Sequence, residues 1–219
     1  MQITWYGQSC FKIVSGQTTI ILDPFSKDIG LTPPRGKANL LLVSDSNMLS
    51  DDFSQIDAGF VVDGAGEYEV GGVHIKGLAV FNKNKDDDII KISTMYTIEL
   101  EDIKICHLTD LSKEQVVGVL DKIGQVDILM IPVGGNYKLK KTEIASLDTE
   151  KALGVIGDID PRIVIPMNFK IPKLNISLDG PEKFLKSLGS SDINPLEKYT
   201  IKKKDLPQEG REVVLMKVS

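Results

Sequence analysis

The sequence predicts a single α/β domain spanning residues 1–219, and three observations predict it. Up to His107 the chain is a succession of short β-branched or alternating segments broken by Gly, Pro and Asn/Asp turns. After Thr109 the rhythm changes to strand, helix and strand in alternation. No linker, repeat or low-complexity segment separates the two halves, and a 42% hydrophobic content is enough to build one proper core.

Taken in order, Gln2 to Tyr6, Cys10 to Val14 and Thr18 to Leu22 read as strands joined by turns, the second turn being Ser15-Gly16-Gln17. Asp23-Pro24-Phe25 stops this run, and Thr32 to Lys37 is a loop because its two prolines cannot continue a central strand. The apolar run Ala38 to Val43 has the pattern of a strand buried on both faces. Further strands are expected at 59–62, 69–78, 89–100 and 103–107, with a polar turn over 82–88. Ser112-Lys113-Glu114-Gln115 reads as a capped helix start, with Val116, Val119, Leu120 and Ile123 on one face and Gly124 as the stop. Strand 126–132, helix 142–156 and strand 162–165 follow. A helix from Pro181, with Asp179 as its cap, and a strand over 211–218 complete the chain.

Bulk chemistry narrows the function classes. Lys and Arg total 26 against 31 Asp and Glu, a formal net charge of −5, which argues against a general binder of nucleic acid. The basic run Lys202-Lys203-Lys204 beside Asp205 reads as a solvated turn. No apolar run approaches 18 residues and the first residues lack signal-peptide character, so no membrane and a cytoplasmic location are expected. Cys10 and Cys106 lack CxxC spacing and read as reduced core thiols.

A collinear series of segments carries a resemblance. It comprises Ile3-Thr4-Trp5-Tyr6-Gly7-Gln8-Ser9-Cys10-Phe11, Leu22-Asp23-Pro24-Phe25, Leu41-Leu42-Val43-Ser44, Gly66-Glu67-Tyr68-Glu69-Val70, Cys106-His107-Leu108-Thr109-Asp110-Leu111, Ile131-Pro132-Val133-Gly134-Gly135 and Ile165-Pro166-Met167. In this order they resemble Zn-dependent hydrolase-like proteins of the metallo-β-lactamase superfamily, in particular the branch with ascorbate-phosphate lactonase-like enzymes, over about residues 1 to 172. The resemblance implies an α/β fold of the four-layer αβ/βα sandwich type. It also implies a cleft in which His and Asp side chains hold one or two metals that activate water.

The residues that the resemblance assigns to metal binding are mostly replaced. Where the family carries an H-x-H-x-D-H loop, this chain reads Asp45-Ser46-Asn47-Met48-Leu49-Ser50, and Leu49 cannot coordinate a cation. The family's histidines at three other places correspond to Gln8, Asn82 and Asn168, and a fourth to Lys113, whose ammonium would repel a metal. Asp110 alone matches a family ligand, the metal-bridging carboxylate. Lowering the pKa of water from roughly 15.7 to about 7 is worth about 12 kcal/mol, which neutral amides cannot supply.

Asp45, Asn47, Asn82, Asp110 and Asn168 are therefore expected to form the degenerate site, as a hydrogen-bonded polar network with ordered water. The alternative is an altered oxygen-ligand site around Asp45 and Asp110 for Mg²⁺, Mn²⁺ or Ca²⁺, with zinc disfavoured. Gln8, His107 and Asn136 are further binding candidates, whereas His74 reads as a solvent-facing strand residue. Ser46 and Ser50 lack a histidine base and are discounted as nucleophiles. Two functions follow: a non-catalytic hydrolase homologue with a binding or structural role, or a metal-dependent hydrolase of phosphoesters or lactones. Either allows a small-molecule ligand, a protein partner or a second copy of the chain.

Overall fold

The computed structural model describes residues 1–45, 53, 55–83, 90–140 and 142–219, with the backbone alone at 82, 83, 90 and 91. Two β-sheets face each other. The first has six strands: β1 (Gln2–Gly7), β2 (Cys10–Ser15) and β3 (Thr18–Leu22) form an antiparallel meander, β4 (Gly36–Leu42) and β5 (Ile56–Val62) add in parallel, and β14 (Tyr199–Thr200) pairs with β1.

The second sheet has seven strands in the order β15-β13-β10-β9-β8-β7-β6. Its antiparallel part is β6 (Gly66–Val70), β7 (Val73–Lys83), β8 (Ile90–Leu100) and β9 (Ile103–His107). Its parallel part is β10 (Ile128–Pro132), β13 (Ile163–Met167) and β15 (Glu212–Val213). Helices α1 (Lys113–Val117) and α2 (Leu120–Ile123) connect β9 to β10, and α3 (Thr149–Ile159) connects β10 to β13; α4 (Glu182–Ser187) follows β13. A short hairpin, β11 (Tyr137–Leu139) and β12 (Thr142–Ile144), projects after β10.

The main core lies between the sheets, where Trp5, Phe11, Tyr96 and Met95 are fully buried. Tyr96 on β8 ties the two sheets together, because its hydroxyl donates to the carbonyls of Val43 (2.8 Å) and Val62 (3.1 Å). A backbone bond, Thr94 N to Ser44 O at 2.6 Å, makes the same connection beside it. The end of β4 is thereby held against β8, which fixes one wall of the cleft described below.

Several local expectations need correction. The expected strand over 69–78 is a hairpin, because Gly71 and Gly72 both take positive φ (60° and 78°), the signature of a two-residue type I′ turn. The helix expected over 142–156 starts only at Thr149: Thr142–Ile144 is strand, and Asp148 caps α3 by accepting from Lys151 N at 2.9 Å. The helix expected from Ser112 to Ile123 is two helices broken at Gly118, although the Ser112–Gln115 capping box forms. Pro181 rather than Asp179 stands at the start of α4. The last expected strand contracts to β15 with isolated bridges from Met216 and Val218.

Candidate functional site

A cleft of about 120 Å³ lies where the carboxyl ends of the parallel strands meet. Open α/β sheets place ligands there because the strands end and their connecting loops diverge. Gln8 and Ser9 follow β1, Asp23 follows β3, Val43 to Asp45 follow β4, and Thr109 and Asp110 follow β9. The opposite wall comes from the β11–β12 hairpin through Tyr137, Leu139 and residues 142–145.

The backbone is strained where it enters the site. Gln8, Asp23, Thr109 and Asn168 all adopt positive φ, between 39° and 51°, and each lies within two residues of a strand end. A left-handed conformation costs a non-glycine residue of order 1–3 kcal/mol and persists only when its surroundings dictate it. The four turns therefore aim side chains into or against one space.

Asp110 is the hub. Its Oδ2 accepts from the Tyr137 hydroxyl at 2.8 Å and its Oδ1 from Asn168 Nδ2 at 2.6 Å. Burial pushes its carboxyl above the ordinary range; the Tyr137, Ser146 and Asn168 side chains oppose that rise, and the nearby Asp23 charge adds to it. Burial and Asp110 together drive the Tyr137 phenol well up, so it stays a donor. The folded chain thus binds a proton at Asp110 more tightly than the unfolded chain. This contribution to stability is full below the ordinary carboxyl value of 3.8 and is lost as pH rises through the raised folded value. In urea titrations across that window, wild-type stability relative to Asp110→Asn should fall as pH rises; a difference that stays flat or grows would refute this assignment.

Asp23 was legible only as the end of a strand, yet it lines the cleft. Its Oδ1 accepts from Ser44 N at 2.7 Å, and its Oδ2 faces His107 Nδ1 at 3.7 Å, beyond hydrogen-bonding distance. His107 does not reach the cleft. It is fully buried, its Nε2 donates to Ser9 O at 2.8 Å, and its ring meets Phe11 edge-on. His74 is exposed on β7, 3.8 Å from Glu69.

Of the remaining expected residues, Gln8 and Asp45 line the cleft, and Asn168 lies fully buried behind Asp110. Asn136 does not line it; its side chain accepts from Ser146 N at 3.0 Å and secures the loop before the hairpin. The backbone of Asn82 pairs with Lys91 within β7 and β8. Asn47, Ser46 and Ser50 lie outside the described residues. Lys113, at the position where the resemblance expects a histidine ligand, does not line the cleft: it opens α1, and its Nζ lies against Gly154 on α3. Tyr137 was missed because nothing local marks a tyrosine that will meet an aspartate 27 residues earlier.

Among the described residues, no three His, Cys, Asp or Glu side chains come together in a metal-binding group. Cys10 and Cys106 are both free and buried, and burial raises both thiols. No helix among the described residues is long and apolar enough to cross a membrane.

Two facing sheets with helical crossovers and a cleft at the strand ends define the metallo-β-lactamase fold. Residues 2–168 match the family model for the beta-lactamase superfamily domain, and the chain belongs to that family. Within it, the chain is 23% identical over 210 residues to a metal-dependent hydrolase of Thermoplasma acidophilum, covering 84% of this chain and 89% of that protein. A crystal structure from Thermotoga maritima, assigned to the Zn-dependent hydrolases of the metallo-β-lactamase superfamily, superposes with a TM-score of 0.74 at 27% identity over 98% of both chains. A metallo hydrolase from Ignicoccus hospitalis shares the fold with a TM-score of 0.61 at 14% identity, covering 92% of this chain and 99% of that one.

Proposed function

We propose that this chain is a non-catalytic member of the superfamily whose cleft binds a small ligand without a catalytic transition metal. One observation carries the reading: the chain has two histidines, and neither faces the cleft, since His107 is buried against Ser9 and His74 lies exposed on β7. Imidazole is the ligand that suits a transition dication, and the cleft has none to offer. Nor is Asp110 an idle donor, because both of its oxygens already accept hydrogen bonds from Tyr137 and Asn168. The donor set does not fit a zinc centre. A reducing, cytoplasmic setting belongs to the same reading and is supported by two free, buried thiols.

A second reading has one observation in its favour, namely that Asp45 and Asp110 line the same cleft. Together with the names of relatives described as metal-dependent hydrolases, it supports an oxygen-ligand site for Mg²⁺, Mn²⁺ or Ca²⁺ acting on a phosphoester or lactone. Titration with Zn²⁺, Mg²⁺, Mn²⁺ and Ca²⁺ separates the two when melting temperature and turnover of a generic phosphodiester and lactone are followed together. The first reading expects neither to change. A rise in both with one cation would establish the second.

A further inference from the structure

We infer that the cleft takes a small amphipathic cation, an amine with an apolar body, in preference to an anion. This rests on the reading that no catalytic metal occupies the cleft, since a dication would reverse the charge argument. Asp23, Asp45, Asp110 and Glu143 line the cleft, whereas no Lys, Arg or His is among its described lining residues. A carboxylate, phosphate or sulfate entering this space meets like charge and, among the described residues that line it, no cation to offset it.

Unpartnered acceptors in the same cleft provide an independent indication. Gln8 is only 6% exposed and Ser44 only 3%, yet Gln8 Oε1 and the Ser44 hydroxyl have no hydrogen-bond partner, the Gln8 Nε2 side of the amide being turned to Tyr137. The Asp23 side chain is 10% exposed, and its Oδ2 is likewise unpaired, His107 Nδ1 being too far to donate. Buried polar groups without partners are uncommon in native proteins, because each has given up water without a replacement. Here the three residues that carry them all line one cleft, and Ser44 N holds Asp23 in place at 2.7 Å.

The chemistry of the missing partner follows from this set. Asp23 Oδ2, Gln8 Oε1 and Ser44 Oγ are acceptors, and a protonated amine brings three N–H donors with its positive charge. Hydrogen bonds from an ammonium to a carboxylate are charge-assisted and gain strength away from bulk water. The rest of the ligand would lie against Phe25, Ile29, Leu139, Ile144 and Ile176, which line the same cleft and give its mouth an apolar wall. Pockets of this kind, mostly apolar with a few convergent polar groups, are suited to small organic ligands.

The test titrates the full chain with hexylammonium, hexanoate and hexyl phosphate by calorimetry and thermal shift, with metal content measured on the same sample. Hexylammonium should bind saturably at one site and raise the melting temperature, while the two anions should show no saturable binding. Asp23→Asn and Asp110→Asn should each weaken hexylammonium at least tenfold, and Glu69→Gln, on β6 outside the cleft, should leave it unchanged. Should either Asn variant fail to fold, Ser44→Ala and Gln8→Leu take its place, with an expected loss of threefold or more. No saturable amine binding, anion binding of equal strength, or amine binding that survives the cleft substitutions would overturn the inference. Anion binding on metal-free protein would overturn it alone and leave the non-catalytic reading standing. Anion binding that requires a stoichiometric metal and vanishes with chelator would overturn both.

Discussion

Trp5→Ala should lower the free energy of unfolding by about 4 kcal/mol, in the range for truncating a large buried aromatic. Trp5 is fully buried on β1 between the sheets, with its ring centroid 4.8 Å from that of Phe169 and 6.3 Å from that of Phe11. The Phe169 contact joins the first sheet to the segment that follows β13 in the second, while Phe11 is the cross-strand neighbour of Trp5 on β2. The indole also works locally: Nε1 donates to Gln8 O at 2.7 Å, which holds the positive-φ turn that turns Gln8 into the cleft. Trp5→Phe keeps most of the packing and removes this donor, so it should cost less, about 1–2 kcal/mol. Urea unfolding of the three proteins checks the order. Equal losses for the two variants would show that the indole hydrogen bond, and not the packing, dominates, contrary to this account.

Gly134→Ala should cost about 3 kcal/mol or more and should disturb Asp110 at a distance. Gly134 follows β10, and a Cβ at this position would collide with the carbonyl oxygen of Asn168 and come within 3.0 Å of Phe169 Cα. Both obstacles are backbone, so no rotamer change relieves them, and overpacking against a fixed backbone reaches the upper end of its usual cost. The glycine is needed for space. Its carbonyl also accepts from Asp179 N at 3.0 Å, and Gly135 N donates to Leu147 O at 2.9 Å, so the local shift cannot be absorbed freely. Asn168 would be displaced from its 2.6 Å bond to Asp110, which therefore loses one of its two donors. Chemical shifts of the Asn168 side-chain amide and the urea midpoint should change together. A variant as stable as wild type, with an unmoved Asn168 amide, would contradict this packing.

The parts of the fold that were legible in the sequence are those written in local periodicity. The β1–β3 meander, the buried run of β4 and the Ser112 cap each depend on residues within a few positions of one another. Failures arise where two neighbouring signals compete. Gly71-Gly72 sits inside an otherwise continuous β-branched stretch, and Asp148 was read as a helix interior when it is the cap that starts α3. The site divides in the same way. Asp110, Asn168, Gln8 and Asp45 could be found because they occupy places where the resemblance expects ligands or a loop carrying them. Asp23 was hidden by Pro24, since Asp-Pro is an ordinary turn signal. Asp23 directly follows the buried Ile20-Ile21-Leu22 end of β3, much as Asp110 comes shortly after the buried end of β9. Tyr137 and Ser44 act only through partners brought near by the fold, Asp110 in one case and Asp23 in the other.

Elemental analysis of the native protein, purified without chelator and followed by X-ray anomalous scattering at the cleft, bears most directly on whether two histidines placed elsewhere leave Asp110 without a metal. Less than a tenth of an equivalent of zinc, iron or manganese, and no anomalous peak beside Asp110, is the expected result. A stoichiometric transition metal coordinated by Asp110 would contradict it.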